Sequence, residues 1–464
     1  MTDMYRPDDS RISRPPTWKA YQARLSAEEC STSPNKKKSS PKLNPKVKWI
    51  GLALMTLAAA GGLFFRDGAP APENRSIRFP IQAPAPRIQK SDVRFLIGKT
   101  PVAAISAKPV QVVFGDRSYT VTTSLDPGLE QYLDTQLDRV NSRYIGIVAM
   151  CPETGRILAM TGFDKTDAAA NPCLAAEFPA ASIFKIITAA AIVEQKGYTP
   201  HTALTFSGYT HTLYKRQLTD TVDANARSIT LEEAFAKSVN PVFGKMGALY
   251  LDRKVVENMG AAFAFNQEVG FELPWPASHL ALTDDAFHRA EIASGFNRET
   301  RISPLHGALI AATVVNGGKP VEPTVVEKIV DDTGACVYKS TPFVLPAAVT
   351  PKTAQVLAQL MRTTVVSGTG KKVFLDQDQD PILSRLDIGG KTGSISNDEK
   401  NIRFDWFAGF ATEKQGTGKI VVAVMVGHEQ YIGTRSTQYA RMVMEHYFKD
   451  YFARKKPVEE HFSG

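Results

Sequence analysis

The sequence predicts an α+β fold, in which an antiparallel sheet is flanked by helices. Strand patterns lie near residues 144–163 and again at 387–427. Helical patterns lie between these two groups of strands, and a last helical pattern follows the second group near the end of the chain. Strands grouped apart from helices are typical of an antiparallel sheet covered by helices. Of the 464 residues, 43% are hydrophobic and 22% are charged, which is usual for a folded protein.

The individual strands follow from alternating apolar runs and turn residues. Residues 118–140 predict a strand, a turn at Asp126–Gly128 and an amphipathic helix. Residues 144–163 predict two strands joined across Pro152–Gly155, which is a hairpin. Three later segments predict strands, namely "DIGGKTGSIS", "DWFAGFAT" and "KIVVAVMVG".

The helices are predicted from apolar periodicity and their end signals. The segment "EFPAASIFKIITAAAIVEQKG" predicts a helix that ends at Gly197. The helix in "SITLEEAFAKSVNPVF" breaks at residues 238–241. Ser303 and Pro304 are typical of the N-cap and first position of a helix. A final helix is predicted from "STQYARMVMEHYFKDYFARK".

The net charge of +8 is concentrated at the N-terminus. Residues 1–48 hold eleven basic and five acidic residues, a net of +6, so the remainder gives no case for a nucleic-acid surface. This segment is rich in Lys, Ser and Pro. We predict that it is disordered, because it buries too little apolar area to offset its ordering entropy.

An uncharged apolar segment follows at residues 49–65. As a helix it spans about 26 Å, slightly less than the hydrocarbon thickness of a bilayer. We predict a single transmembrane helix at 49–65 with the N-terminus in the cytoplasm, because lysines precede it. The alternatives are a cleaved signal peptide and a buried core helix, and the 48 residues before the segment are unusual for a signal peptide.

Beyond the apolar segment, residues 66–90 are rich in Pro and Ala and predict a semi-extended linker. Residues 91–117 look strand-rich and have no assigned role. The main domain is predicted at 118–455. Cys151 and Cys173 border a predicted strand and loop whose ends could meet, so a disulfide is one interpretation and two unrelated core thiols are the other. Neither the cysteine spacing nor the histidines indicate a metal site.

Three short motifs place reactive side chains on suitable elements. Ser182 and Lys185 are three residues apart and share a helix face, where a neutral lysine amine could accept the serine proton. Lys185 could instead extend its charge to water from a core helix. Ser238 and Asn240 lie at a helix break, which is also typical of a solvated loop.

The third motif lies on a predicted strand. Lys391 supplies positive charge for a carboxylate, and Gly393 lets a substrate backbone pair closely with the strand. An ordinary hairpin turn is the alternative for Lys391–Ser394. The occurrence of all three motifs in this order favours one shared site.

S-x-x-K, S-x-N and K-T-G in this order resemble the transpeptidase domain of penicillin-binding proteins. The segments "PETGRILAM", "ISPLHGALIAATVVNGG" and "DWFAGFA" also resemble that family, and the resemblance covers about residues 118–450. It implies a penicillin-binding protein/β-lactamase-like fold with a helical subdomain. No room remains between anchor and domain for a glycosyltransferase, so we expect a monofunctional protein.

The resemblance implies a role for each motif residue. Ser182 would be the acylated nucleophile, Lys185 its proton acceptor and Ser238 a helper in proton transfer. Asn240 would bind the substrate amide, and the backbone N–H groups of Ser182 and Ser394 would form the oxyanion hole. The residues expected to hold the terminal carboxylate of D-Ala-D-Ala on the strand are Lys391 and Thr392, with Gly393 beside them. Ala181 stands where the family often has glycine, and we expect activity to survive it.

The resemblance further implies a DD-transpeptidase that cross-links peptidoglycan stem peptides, binds β-lactams and needs no cofactor or metal. Its expected location is the bacterial inner membrane, with the catalytic domain in the periplasm, where other proteins of cell-wall synthesis could bind it. Hydrolysis by a DD-carboxypeptidase or β-lactamase, and a non-catalytic scaffold or sensor, are the alternatives.

Overall fold

The structure is a computed structural model that describes residues 17–32, 88–97, 108–220, 226–397 and 401–455. Within these ranges a five-stranded antiparallel sheet carries helices on both faces, and a four-stranded sheet and two two-stranded sheets accompany it. The predicted α+β class with antiparallel sheets is confirmed.

The strands agree with the sequence patterns in the main domain, where the hairpin at 144–163 and the three late strands are confirmed. In chain order the strands are β1 (Val110–Phe114), β2 (Arg117–Thr123), β3 (Ser142–Met150), β4 (Ile157–Asp164), β5 (Phe178–Pro179), β6 (Ala203–Phe206), β7 (Arg227–Thr230), β8 (Arg301–Ile302), β9 (Val326–Asp331), β10 (Cys336–Lys339), β11 (Leu386–Asn397), β12 (Ile402–Glu413) and β13 (Lys419–His428).

The helices begin and end close to their predicted signals. The helix Lys185–Lys196 is followed by Gly197 as its C-cap, whose φ of 65° only glycine adopts readily. The Ser303 side chain caps the helix that begins at Pro304 by accepting from the His306 N–H. In chain order the α-helices of the described ranges are α1 (Trp18–Thr32), α2 (Lys90–Ile97), α3 (Pro127–Gln136), α4 (Lys185–Lys196), α5 (Leu231–Ala236), α6 (Asn240–Lys245), α7 (Arg253–Ala262), α8 (Ala286–Ser294), α9 (Pro304–Val315), α10 (Pro351–Val366) and α11 (Ser436–Lys455).

The large sheet has the strand order β11-β12-β13-β3-β4 and separates two apolar cores. α11 and α3 cover one face and α9 covers the other, while α10 contacts β11 and α4 packs against α10. Because both faces of the central strand β13 are covered, nine of its ten residues are buried. This explains the nearly continuous apolar run "IVVAVMVG".

The expectation that residues 91–117 are strand-rich holds for Val110–Phe114 but not for the start of the segment. Lys90–Ile97 is the helix α2, in which Val93, Leu96 and Ile97 form one buried face at helical spacing. β1 pairs with β2, which leads into the main domain. α2 and β1 therefore pack against the residues of the predicted main domain.

The prediction of disorder for residues 1–48 is wrong for Trp18–Thr32, which form α1. Tyr21 is buried and stacks on Phe343, while its hydroxyl donates to Glu322 and accepts from the Gly270 N–H. The aromatic residues supply apolar area that the lysine-rich part of the tail lacks. α1 therefore lies against the main domain.

No helix in the described ranges is long and apolar enough to cross a bilayer. The predicted span at residues 49–65 lies outside those ranges, as does most of the predicted linker at 66–90.

The disulfide interpretation is wrong, because Cys151 and Cys173 are free thiols. The buried thiol of Cys173 contacts the carbonyl oxygens of Ile147 and Thr161. Cys151 lies four residues beyond Ile147, or about 13 Å at roughly 3.3 Å per strand residue. Because Cys173 lies beside Ile147, the two cysteines are separated by more than the ~7 Å between Cα atoms that a disulfide tolerates.

Candidate active site

Ser182 lies in a 3₁₀ turn, Ala181–Phe184, directly before α4. The segment before the turn is fixed by the buried indole of Trp406, which donates to the Pro179 carbonyl at 2.9 Å. Ala181 has a φ of 48°, a left-handed conformation that costs a residue with a Cβ about 1–2 kcal/mol. Ser182 thus follows a strained residue in a turn that the neighbouring strand holds in place.

Lys185 is the first residue of α4 and is completely buried. Its Nζ lies 2.9 Å from Ser182 Oγ and 2.8 Å from Asn240 Oδ1, and it donates to the Ser294 carbonyl oxygen at 2.5 Å. The alternative in which Lys185 extends its charge to water is therefore wrong. The Lys185 nitrogen points into the same site as the Ser182 hydroxyl.

The environment of Lys185 favours its neutral amine. Burial lowers its pKa well below the ordinary lysine value, and the nearby charge of Lys391 lowers it further. A neutral amine has two N–H donors and one lone pair. The carbonyl oxygens of Asn240 and Ser294 are pure acceptors and take the two donors, so the lone pair remains for the Ser182 hydroxyl.

Ser238 and Asn240 lie at the break between α5 and α6, as the sequence predicts. Ser238 has a φ of 56°, and its hydroxyl donates to Ser182 Oγ at 3.0 Å. Asn240 accepts from Lys185 and donates its amide to the His211 carbonyl at 3.0 Å. Both side chains face the nucleophile from the opposite wall.

Lys391–Ser394 lie on β11, an edge strand of the five-stranded sheet. Lys391 is completely buried, and it donates to Ser238 Oγ at 3.1 Å and to the Thr392 carbonyl at 2.7 Å. Burial lowers the pKa of Lys391 to about 7. The two lysines and two serines therefore form one continuous hydrogen-bonded chain from Lys391 to Lys185.

The remaining residues of the strand border the nucleophile. A Cβ on Gly393 would lie 3.3 Å from the Ser182 nitrogen, a tighter contact than most side chains make, so glycine lets β11 pass close to the turn without crowding it. Thr392 Oγ1 lies 2.5 Å from Thr369 Oγ1, and Ser394 Oγ accepts from Arg403 Nε at 3.1 Å. The structure thus brings every predicted site residue to one cleft.

Sequence reasoning missed several members of this cleft. Ser294 contributes a backbone carbonyl at the end of α8, and no side-chain pattern could have indicated it. Thr369 lies in a "GTG" segment at residues 368–370, outside the three motifs. His211 and Arg403 belong to no motif and reach the site by tertiary packing.

The penicillin-binding protein transpeptidase domain family matches residues 145–445, so the chain belongs to this family. It is 28% identical to peptidoglycan D,D-transpeptidase PbpA of Mycolicibacterium smegmatis, over 60% of this chain and 61% of that protein. It is 24% identical to stage V sporulation protein D of Bacillus subtilis, over 65% of this chain and 49% of that protein. The matched region thus spans less than two thirds of these relatives.

Solved structures show the same fold. The D,D-transpeptidase domain of a peptidoglycan glycosyltransferase from Eggerthella lenta superposes with a TM-score of 0.60 at 24% identity, over 71% of this chain and 83% of that one. An imipenem acyl-enzyme complex of penicillin-binding protein A from Mycobacterium tuberculosis gives a TM-score of 0.57 at 23% identity, over 70% and 78%. At this identity the likeness concerns the fold alone.

Proposed function

We propose that the protein is a peptidoglycan D,D-transpeptidase that acts through an acyl-enzyme on Ser182. The observation that carries this proposal is the Lys185 amine, which is buried, lowered in pKa and 2.9 Å from Ser182 Oγ. A serine hydroxyl is a weak nucleophile until a neighbouring base takes its proton. Membership of the transpeptidase family agrees with this chemistry.

In the first step Ser182 Oγ attacks the carbonyl between the two D-alanines of a stem peptide. The Oγ–C bond forms and the serine proton moves to Lys185. As the C–N bond breaks, the proton held by Lys185 is delivered to the leaving D-alanine amine, and the Ser238 hydroxyl, which contacts Ser182 Oγ, assists this transfer. Microscopic reversal of these transfers lets an acceptor amine resolve the acyl-enzyme in the second step.

The open edge of β11 is the proposed seat for the donor peptide. An extended peptide can pair with an edge strand, and Gly393 leaves room for this next to Ser182. Lys391 supplies positive charge and Thr392 a hydroxyl for the terminal carboxylate. The backbone N–H groups of Ser182 and Ser394 would hold the developing oxyanion, which is typically worth about 2.7–4 kcal/mol per donor.

The proposed reaction is tested by incubating the protein with a thioester that replaces the donor peptide and with an amine that replaces the acceptor, and by measuring the transfer and hydrolysis products. We expect the transfer product to increase with acceptor concentration while the donor is consumed, and Ser182→Ala to abolish both products. Product formed by hydrolysis alone at every acceptor concentration would contradict transpeptidation and support the carboxypeptidase or β-lactamase alternative. No consumption by the wild type would support the non-catalytic alternative.

We also propose that residues 49–65 anchor the chain in the cytoplasmic membrane by a single crossing, with the catalytic domain outside. Lysines before the segment and an uncharged run of 17 residues support this orientation. Such a crossing places α1 and the catalytic domain of the same chain on opposite sides of the membrane, although they are in contact in the structure. We therefore expect this contact to form in protein that has been removed from the membrane and not in the membrane-inserted protein.

A further inference from the structure

Lys391 is out of reach of a bound donor, although the proposed function uses its charge. The side chain is completely buried, and its nitrogen donates to Ser238 Oγ at 3.1 Å and to the Thr392 carbonyl oxygen at 2.7 Å. Because burial lowers its pKa to about 7, its charge is also incomplete at neutral pH. Lys391 therefore attracts a donor carboxylate from a distance, and the direct contacts come from exposed groups beside β11.

Arg403 is an exposed cation beside this strand. It is the second residue of β12, where it pairs with Ser396 of β11, and its Nε donates to Ser394 Oγ at 3.1 Å. Within the part of the chain that the structure describes, no carboxylate pairs with Arg403, and its two terminal nitrogens have no acceptor. The guanidinium group therefore offers its charge and its terminal N–H groups to a ligand.

The Ser394 hydroxyl is prepared to donate to the same ligand. A hydroxyl has one proton and two lone pairs, and one lone pair of Ser394 Oγ accepts from Arg403. Among the described residues, nothing accepts the hydroxyl proton of Ser394. A carboxylate can accept from this hydroxyl and from Arg403 together, because the planar fork of a guanidinium group matches a carboxylate.

Ser394 and Arg403 lie where the proposed reaction places the end of the donor. The Ser394 backbone N–H is part of the proposed oxyanion hole, so the oxygen of the scissile carbonyl would lie at hydrogen-bond distance from it. The terminal carboxyl carbon follows the scissile carbonyl carbon by three bonds and is no more than about 4 Å away. Thr392 and Ser394 are two residues apart on one strand, so their hydroxyls lie on one face and can both reach that carboxylate.

We propose that Arg403 binds the terminal carboxylate of the donor peptide, together with the Ser394 hydroxyl that it orients. This contact holds the scissile carbonyl against the oxyanion hole and selects donors that end in a free carboxylate. A donor that ends in a neutral amide loses the attraction between charges and keeps the backbone pairing with β11. The assignment deepens the proposed transpeptidase function and rests on it.

The test uses two thioester donors that differ only at the end of the leaving group, which is a carboxylate in one and a carboxamide in the other. Arg403→Gln removes the charge and keeps a polar side chain at an exposed position. We expect kcat/KM for the carboxylate donor to decrease at least about tenfold, because hydrogen bonds between charged groups are the stronger ones in proteins. The value for the carboxamide donor should stay within about twofold of wild type, because this donor makes no such bond. Arg403→Lys keeps the charge without the planar fork and should recover part of the loss.

Ser394→Ala tests whether the hydroxyl and Arg403 share one ligand. It removes the hydroxyl and keeps the backbone N–H of the proposed oxyanion hole. We expect a smaller loss for the carboxylate donor than in Arg403→Gln. In the double variant, the loss should be less than the two single losses combined, because contacts to one carboxylate are coupled. Fully independent losses would overturn the shared contact.

The matched control is Arg117→Gln, at an exposed arginine that begins β2 in another sheet, and it should leave both donors unchanged. Arg298→Gln tests the other arginine beside β11, whose Nε donates to the Ser396 carbonyl at 2.8 Å, and should leave the preference for the carboxylate donor intact. The assignment would be overturned by an equal loss for both donors in Arg403→Gln, by no loss for either, by a wild type without a preference, or by a preference that depends on Arg298 instead. A wild type that consumes neither donor would overturn the proposed function as well.

Discussion

Lys185, which is completely buried, places its amine nitrogen 2.9 Å from the Ser182 hydroxyl oxygen. If this amine is the base, Lys185→Ala should reduce the rate of acylation by penicillin about 10²–10⁴-fold. The rate is measured with a fluorescent penicillin under pseudo-first-order conditions. Lys196→Ala, at the exposed end of the same helix, is the control and should leave the rate unchanged. A loss of less than tenfold in Lys185→Ala would exclude the amine as the base.

Lys391 should make the stability of the domain depend on pH. Its pKa is about 7 in the folded protein and about 10.4 in an unfolded chain, so between these values the unfolded state binds more protons and stability increases with pH. The loss of stability that is caused by burying the charged lysine reaches its full value below pH 7. Lys391→Met should therefore raise Tm by at least about 3 °C at pH 6, and by less at pH 10.

The control for this prediction is Lys372→Met, at an exposed lysine. It should shift Tm equally and slightly at both pH values. Lys391→Met should at the same time lose acylation by penicillin. A variant that is destabilised more at pH 6 than at pH 10 would show that the buried ammonium group stabilises the fold.

Gly295 packs directly against the turn that carries Ser182. It has a φ of 67°, and a Cβ there would overlap the Ala181 carbonyl group. Gly295→Ala should therefore displace Ser182, reducing both acylation and the free energy of unfolding. Gly197 has nearly the same φ, 65°, but a Cβ added there would meet no atom within 4 Å. Gly197→Ala should cost only the left-handed conformation, about 1–2 kcal/mol, and leave acylation unchanged. Equal acylation in both variants would contradict the proposed contact.

Cross-linking tests the contact between α1 and the main domain. Gln22 donates to the Glu268 carbonyl at 2.7 Å, so cysteines at these two positions should react with one short bismaleimide in detergent-purified protein. Cys30 and Cys336 are replaced by serine in the background, and Glu268→Cys alone is the control. No cross-link in detergent would contradict the α1 contact. In intact cells we expect none, because a single crossing at residues 49–65 separates the two positions, and a cross-link there would overturn that topology.

The sequence predicted most of the site because its residues lie in short local patterns. Ser182 and Lys185 share one helical turn, and Lys391–Ser394 share one strand, so spacing alone placed them on the right elements. The Ser294 carbonyl and His211 lie far from these motifs along the chain and meet them only through the packing of α8 and the loop at 207–214. Such contacts leave no periodic signal.

Two of the errors, the fold of residues 90–97 and the pairing of Cys151 with Cys173, have related causes. α2 is eight residues long, and a short apolar segment of that length carries too few periods to separate helix from strand. The disulfide was inferred from the loop length between Cys151 and Cys173. Loop length does not reveal that Cys173 packs near the middle of β3 while Cys151 lies beyond its end.

The most direct test of the central claim is to locate the covalent adduct formed with penicillin. Full-length protein is incubated with benzylpenicillin, digested and sequenced by mass spectrometry. We predict one penicilloyl group per chain on the Ser182 hydroxyl, and no adduct in Ser182→Ala. An adduct on another residue, or undiminished labelling of Ser182→Ala, would contradict the assignment of Ser182 as the nucleophile.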